Sequence, residues 1–282
     1  MDASEEEALR REVQQTFHHE QPSFDMNDRS TIKHVIGVVS GKGGVGKSLV
    51  TGLLATELAR TGAKVGILDC DITGPSIPKM FGLSGQHITA IDQLMIPAQT
   101  KGGIKVMSAN LVLENEDDPV LWRGPVLSGA LRQFWNESLW GDIDYMICDM
   151  PPGTGDVALT VFQELPIEGV VIVTSPQDLV KMIVGKAVNM ATMMKVPVLG
   201  LVENMSYIEC PHCGEKIQPY GPSHLDETAQ AYDLDILGRL PIDPKIAAAC
   251  DAGTIEDVQR DLLPEAVRVI QTVAAIDEAK GE

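Results

Sequence analysis

The chain has 282 residues, 40 acidic and 22 basic, for a formal net charge of −18. Its length suffices for one large α/β domain with a buried core or two small ones, and the acidic surplus argues against nonspecific binding to nucleic acid or to an anionic membrane, where like charges repel. No uninterrupted apolar stretch approaches the ~20 residues of a membrane span, the N-terminus is acidic where a secretory signal is basic and then apolar, and five cysteines do not make a disulfide framework, so the protein is expected in the cytoplasm.

Residues 1–30, with Glu5-Glu6-Glu7 and His18-His19, read as a mobile acidic leader with room for a short amphipathic helix over Glu6 to Phe17. The paired histidines read as surface, since no cysteine or regularly spaced carboxylate accompanies them. Val35 to Val39 is then an apolar strand, and Leu49 to Arg60 has helical spacing that ends at Gly62. Between them lies Gly41-Lys42-Gly43-Gly44-Val45-Gly46-Lys47-Ser48. Its glycines let successive N–H groups curl inward and the helix start adds the positive end of its dipole, so the stretch from Gly41 to Leu49 is expected to wrap the phosphates of a nucleotide. Lys47 supplies the counter-charge at the β- and γ-phosphates, and the Ser48 hydroxyl is a ligand for Mg²⁺.

Further units repeat the pattern. Lys64 to Asp69, Tyr145 to Asp149, Gly169 to Thr174 and Val198 to Val202 are apolar strands, and Leu179 to Met194 is a helix. Near-continuous apolar strands alternating with helices predict an α/β fold of the P-loop NTPase kind: a mainly parallel twisted sheet, helices on both faces, over residues 31–282 as a single domain. Ligands of such sheets bind at the carboxyl ends of the strands, which here carry Ser40, Asp69, Asp149 and Thr174, with Glu203-Asn204 just beyond the last. Asp71 can be aimed at a γ-phosphate by a bend after Asp69, and Asp149 can hold Mg²⁺ directly or through its water. Asp156 reads as the cap of the next helix. Cys70, Cys148 and Cys250 read as small core residues.

Cys210-Pro211-His212-Cys213-Gly214 is different, an insertion near 205–222 with two thiols spaced to bind one metal centre. By itself Cys-x-x-Cys is a redox pair, half a Zn²⁺ knuckle or half a cluster site. No second Cys-x-x-Cys exists in the chain, whereas a two-fold homodimer brings two such pairs together.

Lys42 is the unusual residue of the loop. Lys42-Gly-Gly-Val-Gly-Lys47-Ser48 resembles the deviant Walker A motif of the MinD/ParA-like ATPases, which commonly dimerise around ATP. The resemblance implies that Lys42 reaches the partner's nucleotide, acting like an arginine finger. Over roughly residues 32–275 the chain looks most like the Mrp (ApbC) branch, the iron–sulfur cluster carriers, through Asp69-Cys70-Asp71-Ile72-Thr73-Gly74-Pro75-Ser76, Asp149-Met150-Pro151-Pro152-Gly153-Thr154-Gly155-Asp156, and Glu203-Asn204-Met205-Ser206 followed by the cysteine pair. By position, the resemblance implies that Asp71 orients the attacking water, that Asn204 contacts the adenine, and that Cys210 and Cys213 hold a [4Fe–4S] cluster rather than zinc. This leader has no cysteine, unlike that of some relatives.

The expectation is therefore a homodimeric Mg²⁺-dependent ATPase that hydrolyses slowly, with Lys42, Lys47 and Asp71 as catalytic residues, and that passes its cluster to iron–sulfur apoproteins without nucleic-acid or membrane partners. The alternatives are a ParA/MinD-like positioning switch and a zinc-stabilised dimeric ATPase. The switch would need an attachment element, but the amphipathic stretch from Leu262 to Lys280 carries Glu265, Asp277 and Glu278 and is expected to pack on the domain.

Overall fold

The computed structural model describes residues 26–71, 74, 76–113, 125–176 and 180–281. Most of the expected leader, including the Glu6 to Phe17 helix and His18-His19, lies outside the described residues, as do Ile72, Thr73, Pro75 and Leu179.

Strand β1 (Thr31–Val39) enters from the surface and is buried over its last six residues. Its side chains alternate between the faces of the sheet, as strand geometry requires. Val35 and Val39 pack into one apolar cluster and Ile36 and Val38 into the other. The phosphate loop leads into α1 (Lys47–Arg60), then β2 (Val65–Asp69) and the short α2 (Ile77–Met80). A small antiparallel hairpin, β3 (Thr89–Ile91) with β4 (Leu94–Ile96), precedes β5 (Ala98–Gln99) and β6 (Lys105–Ser108). The chain continues through α3 (Pro125–Asn136), β7 (Asp142–Asp149), α4 (Asp156–Glu164), β8 (Gly169–Thr174), α5 (Val180–Met193) and β9 (Val198–Glu209). It ends with β10 (Lys216–Ile217), α6 (Leu225–Tyr232), β11 (Ile236–Pro241), α7 (Pro244–Asp251) and α8 (Pro264–Gly281).

Among the described residues the main sheet has nine strands in the order β10-β9-β8-β1-β7-β2-β6-β5, with β11 also paired to β9. The pairs β1–β7, β1–β8, β2–β7, β2–β6, β8–β9 and β9–β11 are parallel, and the short edge strands β5 and β10 pair antiparallel. Helices α1, α2 and α8 cover one face, through residues such as Val50, Leu54, Ile77 and Ile270. Helices α3, α4, α5 and α6 cover the other, through Leu131, Phe162, Val184 and Leu225. This is the doubly covered, mainly parallel sheet that the apolar strands predicted. Because β1 lies between β7 and β8, with β2 beyond β7, the ends of β1, β2 and β7 converge on one site.

Three local expectations change. Val198 to Val202 was read as the whole of a strand, but β9 continues to Glu209, so Glu203 and Asn204 lie within it. Gly155, not Asp156, takes the cap position of α4, and Asp156 is in the first helical turn, where its charge favours the helix dipole. The short strand β6, between β2 and β5, and strand β11, short and interrupted by Gly238, went unread. The C-terminal helix packs as expected, with Ala266, Val267, Ile270 and Ala274 buried. No helix among the described residues is long and apolar enough to cross a membrane.

The start of α8 is anchored from α1. The buried Glu57 carboxylate accepts the backbone N–H of Leu262 at 2.6 Å and that of Leu263 at 3.1 and 3.0 Å. Burial pushes its pKa upward against the pull of those two N–H groups. Replacing it by alanine strands a buried N–H, and Glu57→Ala is expected to lose about 1–3 kcal/mol. Urea unfolding measures this, and an unchanged midpoint would remove the anchoring role.

Candidate functional site

The loop between β1 and α1 wraps because its glycines occupy conformations and spaces closed to other residues. Gly44 and Gly46 have φ of 78° and 81°, in the left-handed region that favours glycine. A Cβ on Gly41 would lie 2.3 Å from Ile183 O, and one on Gly46 would lie 2.1 Å from Asn204 Nδ2. Gly43 and Gly44 are exposed, Lys42 and Ser48 are half-buried, Leu49 is half-buried beside them, and Val45 and Lys47 are buried. Helix α1 begins at Lys47 with no acid of its own in its first turn, so the positive end of its dipole faces the loop without a carboxylate from the helix itself. That cradle fits a nucleotide's phosphates.

Behind the loop stands Asp149, the last residue of β7 and fully buried. Lys47 Nζ donates to Asp149 Oδ1 at 2.8 Å, Ser48 Oγ donates to Oδ2 at 2.5 Å, and Thr51 Oγ1 donates to Oδ1 at 2.8 Å. Asp71, just past the end of β2, brings Oδ2 to 3.5 Å from Lys47 Nζ. One ammonium therefore faces two carboxylates. The pairing of Ser48 with Asp149 is the donor set that suits Mg²⁺, a hydroxyl backed by a carboxylate. The segment after β7 is held to the loop by Gly153 N donating to Ser40 O at 2.9 Å.

A third carboxylate went unassigned in the sequence. Asp69 pairs in register with Asp149 and is buried, accepting from Ser108 Oγ at 3.0 Å and from Asp71 N at 3.2 Å. Burial, and then the neighbouring Asp149 charge, push the Asp69 carboxyl well above its usual range, against the pull of Lys47 and Ser108. Asp69 thus braces the backbone that carries Asp71. Its strand-end position was visible in the sequence; Thr51 and Ser108, on a helix and on the short strand β6, carried no such signal.

Asn204, on β9, is buried against the loop, and its Nδ2 donates to Val45 O at 2.9 Å. That bond uses one of the amide's two N–H groups. Cys70 and Cys148 are both buried, and burial followed by the Cys148 side chain raises the Cys70 thiol well above its usual value, as expected of core cysteines.

Cys210 and Cys213 sit apart, on the turn that joins β9 to β10. Cys210 N donates to Glu215 O and Gly214 N to Cys210 O, both at 2.9 Å, with Gly214 at φ 74°. The backbone N–H groups of His212 and Cys213, then the Cys213 side chain, lower the Cys210 thiol below its usual value. Cys213 and His212 are exposed. The turn presents two thiols, and the lowered pKa of Cys210 favours the thiolate, the form that binds metal. Among the described residues no group of three or more His, Cys, Asp or Glu side chains is placed to hold a metal ion.

The description of the NUBPL iron-transfer P-loop NTPases, within ParA, matches residues 31–275. The iron-sulfur cluster carrier protein of Clostridium perfringens is 51% identical over 233 residues, covering 80% of this chain and 82% of that one. Among solved structures, the nucleotide-binding protein of Archaeoglobus fulgidus in complex with ADP is 43% identical, with a TM-score of 0.74 over 82% of this chain and 90% of that one. The cell division ATPase MinD of Pyrococcus furiosus shares the fold, with a TM-score of 0.59 at 19% identity over 86% of this chain and 99% of that one.

Proposed function

The chain belongs to the NUBPL iron-transfer family of ParA-type P-loop NTPases, and from that premise we propose that it is an ATP-hydrolysing carrier that holds a [4Fe–4S] cluster between two copies of itself and delivers it to apoproteins. The observation that carries the proposal is the turn that presents Cys210 and Cys213 together, with no third ligand placed beside them among the described residues. Two such turns related by a two-fold axis supply four thiolates. Held at an interface, such a cluster is reachable by a recipient, which suits cargo better than a permanent prosthetic group. We read residues 31–282 as the single domain that does this, residues 1–30 as the segment leading into it, with Asn27 donating to Asn136 O and Ser138 O, and the whole as cytoplasmic.

On this reading the loop from Gly41 to Leu49 holds ATP. Mg²⁺, when bound, neutralises charge on the phosphoryl oxygens, with Ser48 as ligand and Asp149 behind it. Lys47 balances the negative charge of the β- and γ-phosphates. Asp71 orients the water that attacks the γ-phosphorus as the bond to the bridging oxygen breaks and ADP leaves. Lys42 of the partner subunit offsets the charge that builds in that transition state. Asn204 is assigned to the adenine.

Anaerobic reconstitution with iron and sulfide tests the carrier. Absorption and Mössbauer spectra are expected to report one [4Fe–4S] cluster per two chains in the wild type, and none in the Cys210→Ala/Cys213→Ala double variant. Equal cluster in both proteins would overturn the reading, and uptake of zinc in place of iron would favour a structural metal.

A further inference from the structure

We propose that a bulge in β9 is the joint through which nucleotide binding at the loop reaches Cys210 and Cys213, with Glu203 and Ser223 as its positioning residues. The functional meaning of the cysteines rests on the carrier reading; the joint rests on the geometry.

Along β11, Arg239 pairs with Glu203 and Pro241 with Tyr207. Two residues of advance on one strand therefore match four on the other, and residues 204–206 bulge out of the ladder. At the centre of the bulge Met205 has φ 58°, a small left-handed well that a long side chain seldom occupies. Such backbone persists where its surroundings hold it, and it has extended and right-handed wells to move to.

The holding contacts lead in two directions. On one side Asn204 donates to Val45 O at 2.9 Å. Val45 C=O and Gly46 N–H belong to the same peptide unit, so whichever way that unit turns to meet a phosphate, the Asn204 contact feels it. The fit has little slack, since a Cβ on Gly46 would come within 2.1 Å of Asn204 Nδ2. On the other side the fully buried Glu203 carboxylate closes the bulge by accepting from Ser206 Oγ at 2.6 Å, and accepts from Ser223 Oγ at 2.8 Å. Ser223 Oγ in turn accepts from Leu225 N at 3.1 Å, at the start of α6.

The cysteine excursion is thus held at both limbs. Its outgoing limb runs from Ser206 through Tyr207, whose carbonyl accepts from Ile242 N at 2.7 Å, into the β9–β10 ladder directly before Cys210. Its returning limb ends at Ser223. Both limbs meet at the Glu203 carboxylate, next in sequence to the residue that touches the loop. A shift of Asn204 changes the bulge, and the bulge cannot change without moving one limb relative to the other.

The test uses the full chain without cluster. The rates at which iodoacetamide alkylates Cys210 and Cys213 are read by peptide mass spectrometry, with and without Mg²⁺ and a non-hydrolysable ATP analogue whose binding is measured alongside. In the wild type the analogue is expected to change those rates roughly fivefold or more, in line with ordinary coupling between sites. Ser223→Ala is expected to bring the ratio close to one while analogue affinity stays within about twofold, and Ser223→Thr, which keeps the hydroxyl, is expected to restore it. A merely structural serine would alter the basal rate and leave the ratio in place. Should Ser223→Ala lose its fold by circular dichroism, Glu203→Gln and Met205→Gly are read in the same way. A wild-type ratio near one with analogue bound, or a full ratio in the folded variant, overturns the joint. Cluster uptake judges the carrier separately: reconstitution that fails while the alkylation ratio persists refutes the carrier and leaves the joint standing.

Discussion

Asp149→Ala is expected to reduce ATP hydrolysis by about 10²-fold or more and to destabilise the nucleotide-free chain by about 3 kcal/mol, the lower end of what breaking a buried ion pair costs. The fully buried Asp149 carboxylate takes hydrogen bonds from Lys47, Ser48 and Thr51. Without it the Lys47 ammonium, 5% exposed, keeps only Asp71 at 3.5 Å as a paired carboxylate. The loss stops short of a full unpaired charge for that reason. Asp69 adds to the compensation, because the Asp149 charge is one of the causes that hold its pKa up, and removing that charge lets Asp69 ionise more readily. Asp149→Asn keeps an oxygen acceptor and the volume of the side chain, so it should recover much of the stability and little of the hydrolysis. Phosphate release and urea unfolding measure the two effects. A Asp149→Ala protein that hydrolyses ATP at close to the wild-type rate would sink the assignment.

Lys42→Ala is expected to cut hydrolysis by roughly 10³-fold or more, the range of a cation supplied to a phosphoryl transition state, while nucleotide affinity and fold persist. Lys42 is half-buried on the loop, whereas Lys47, five residues later, is the lysine directed at Asp149. The two lysines of the loop thus differ in burial, and Lys47 is the one that donates to Asp149. Mixing provides the decisive measurement. In a freely exchanging equal mixture of Lys42→Ala and Asp149→Ala chains, half of the dimers pair the two variants, and each such dimer has one site with Asp149 in place and Lys42 arriving from the partner. Activity is then expected to return to about a quarter of the wild-type value. A mixture as inactive as its components would mean that Lys42 serves its own chain or none.

The fold was legible because its signals are local and redundant. Gly169 to Thr174 is apolar at every position, and a strand buried on both faces needs nothing else. The phosphate loop was legible for a related reason: a tight backbone cradle demands glycine at positions such as Gly44 and Gly46, leaving a spaced pattern in the chain. Asp149 and Asp71 could be named because strand ends adjacent to such a loop have few places to point. Thr51 and Ser108 could not, since their importance comes from which carboxylate the packing brings within 3.0 Å of them. The bulge was hidden too. Glu203-Asn204-Met205-Ser206 contains no glycine or proline to mark irregular backbone, and Met205 takes a positive φ only because contacts from the loop and from Ser223 hold its neighbours.

What the sequence by itself determined is the chemistry at hand: a phosphate cradle, a lysine and a hydroxyl to serve it, and two thiols at metal-binding spacing, all written in neighbouring residues because each depends on short stretches of backbone. Only the tertiary structure decided how those pieces are joined. It placed two carboxylates around one buried ammonium with a third, Asp69, behind them, turned Asn204 onto the loop, and gathered both limbs of the cysteine turn on Glu203. Apart from the local bonds of Ser206 to Glu203 and of Asp71 to Asp69, these are contacts between residues 20 to 159 positions apart, set by strand order and register, and no local pattern encodes which strand will lie beside which.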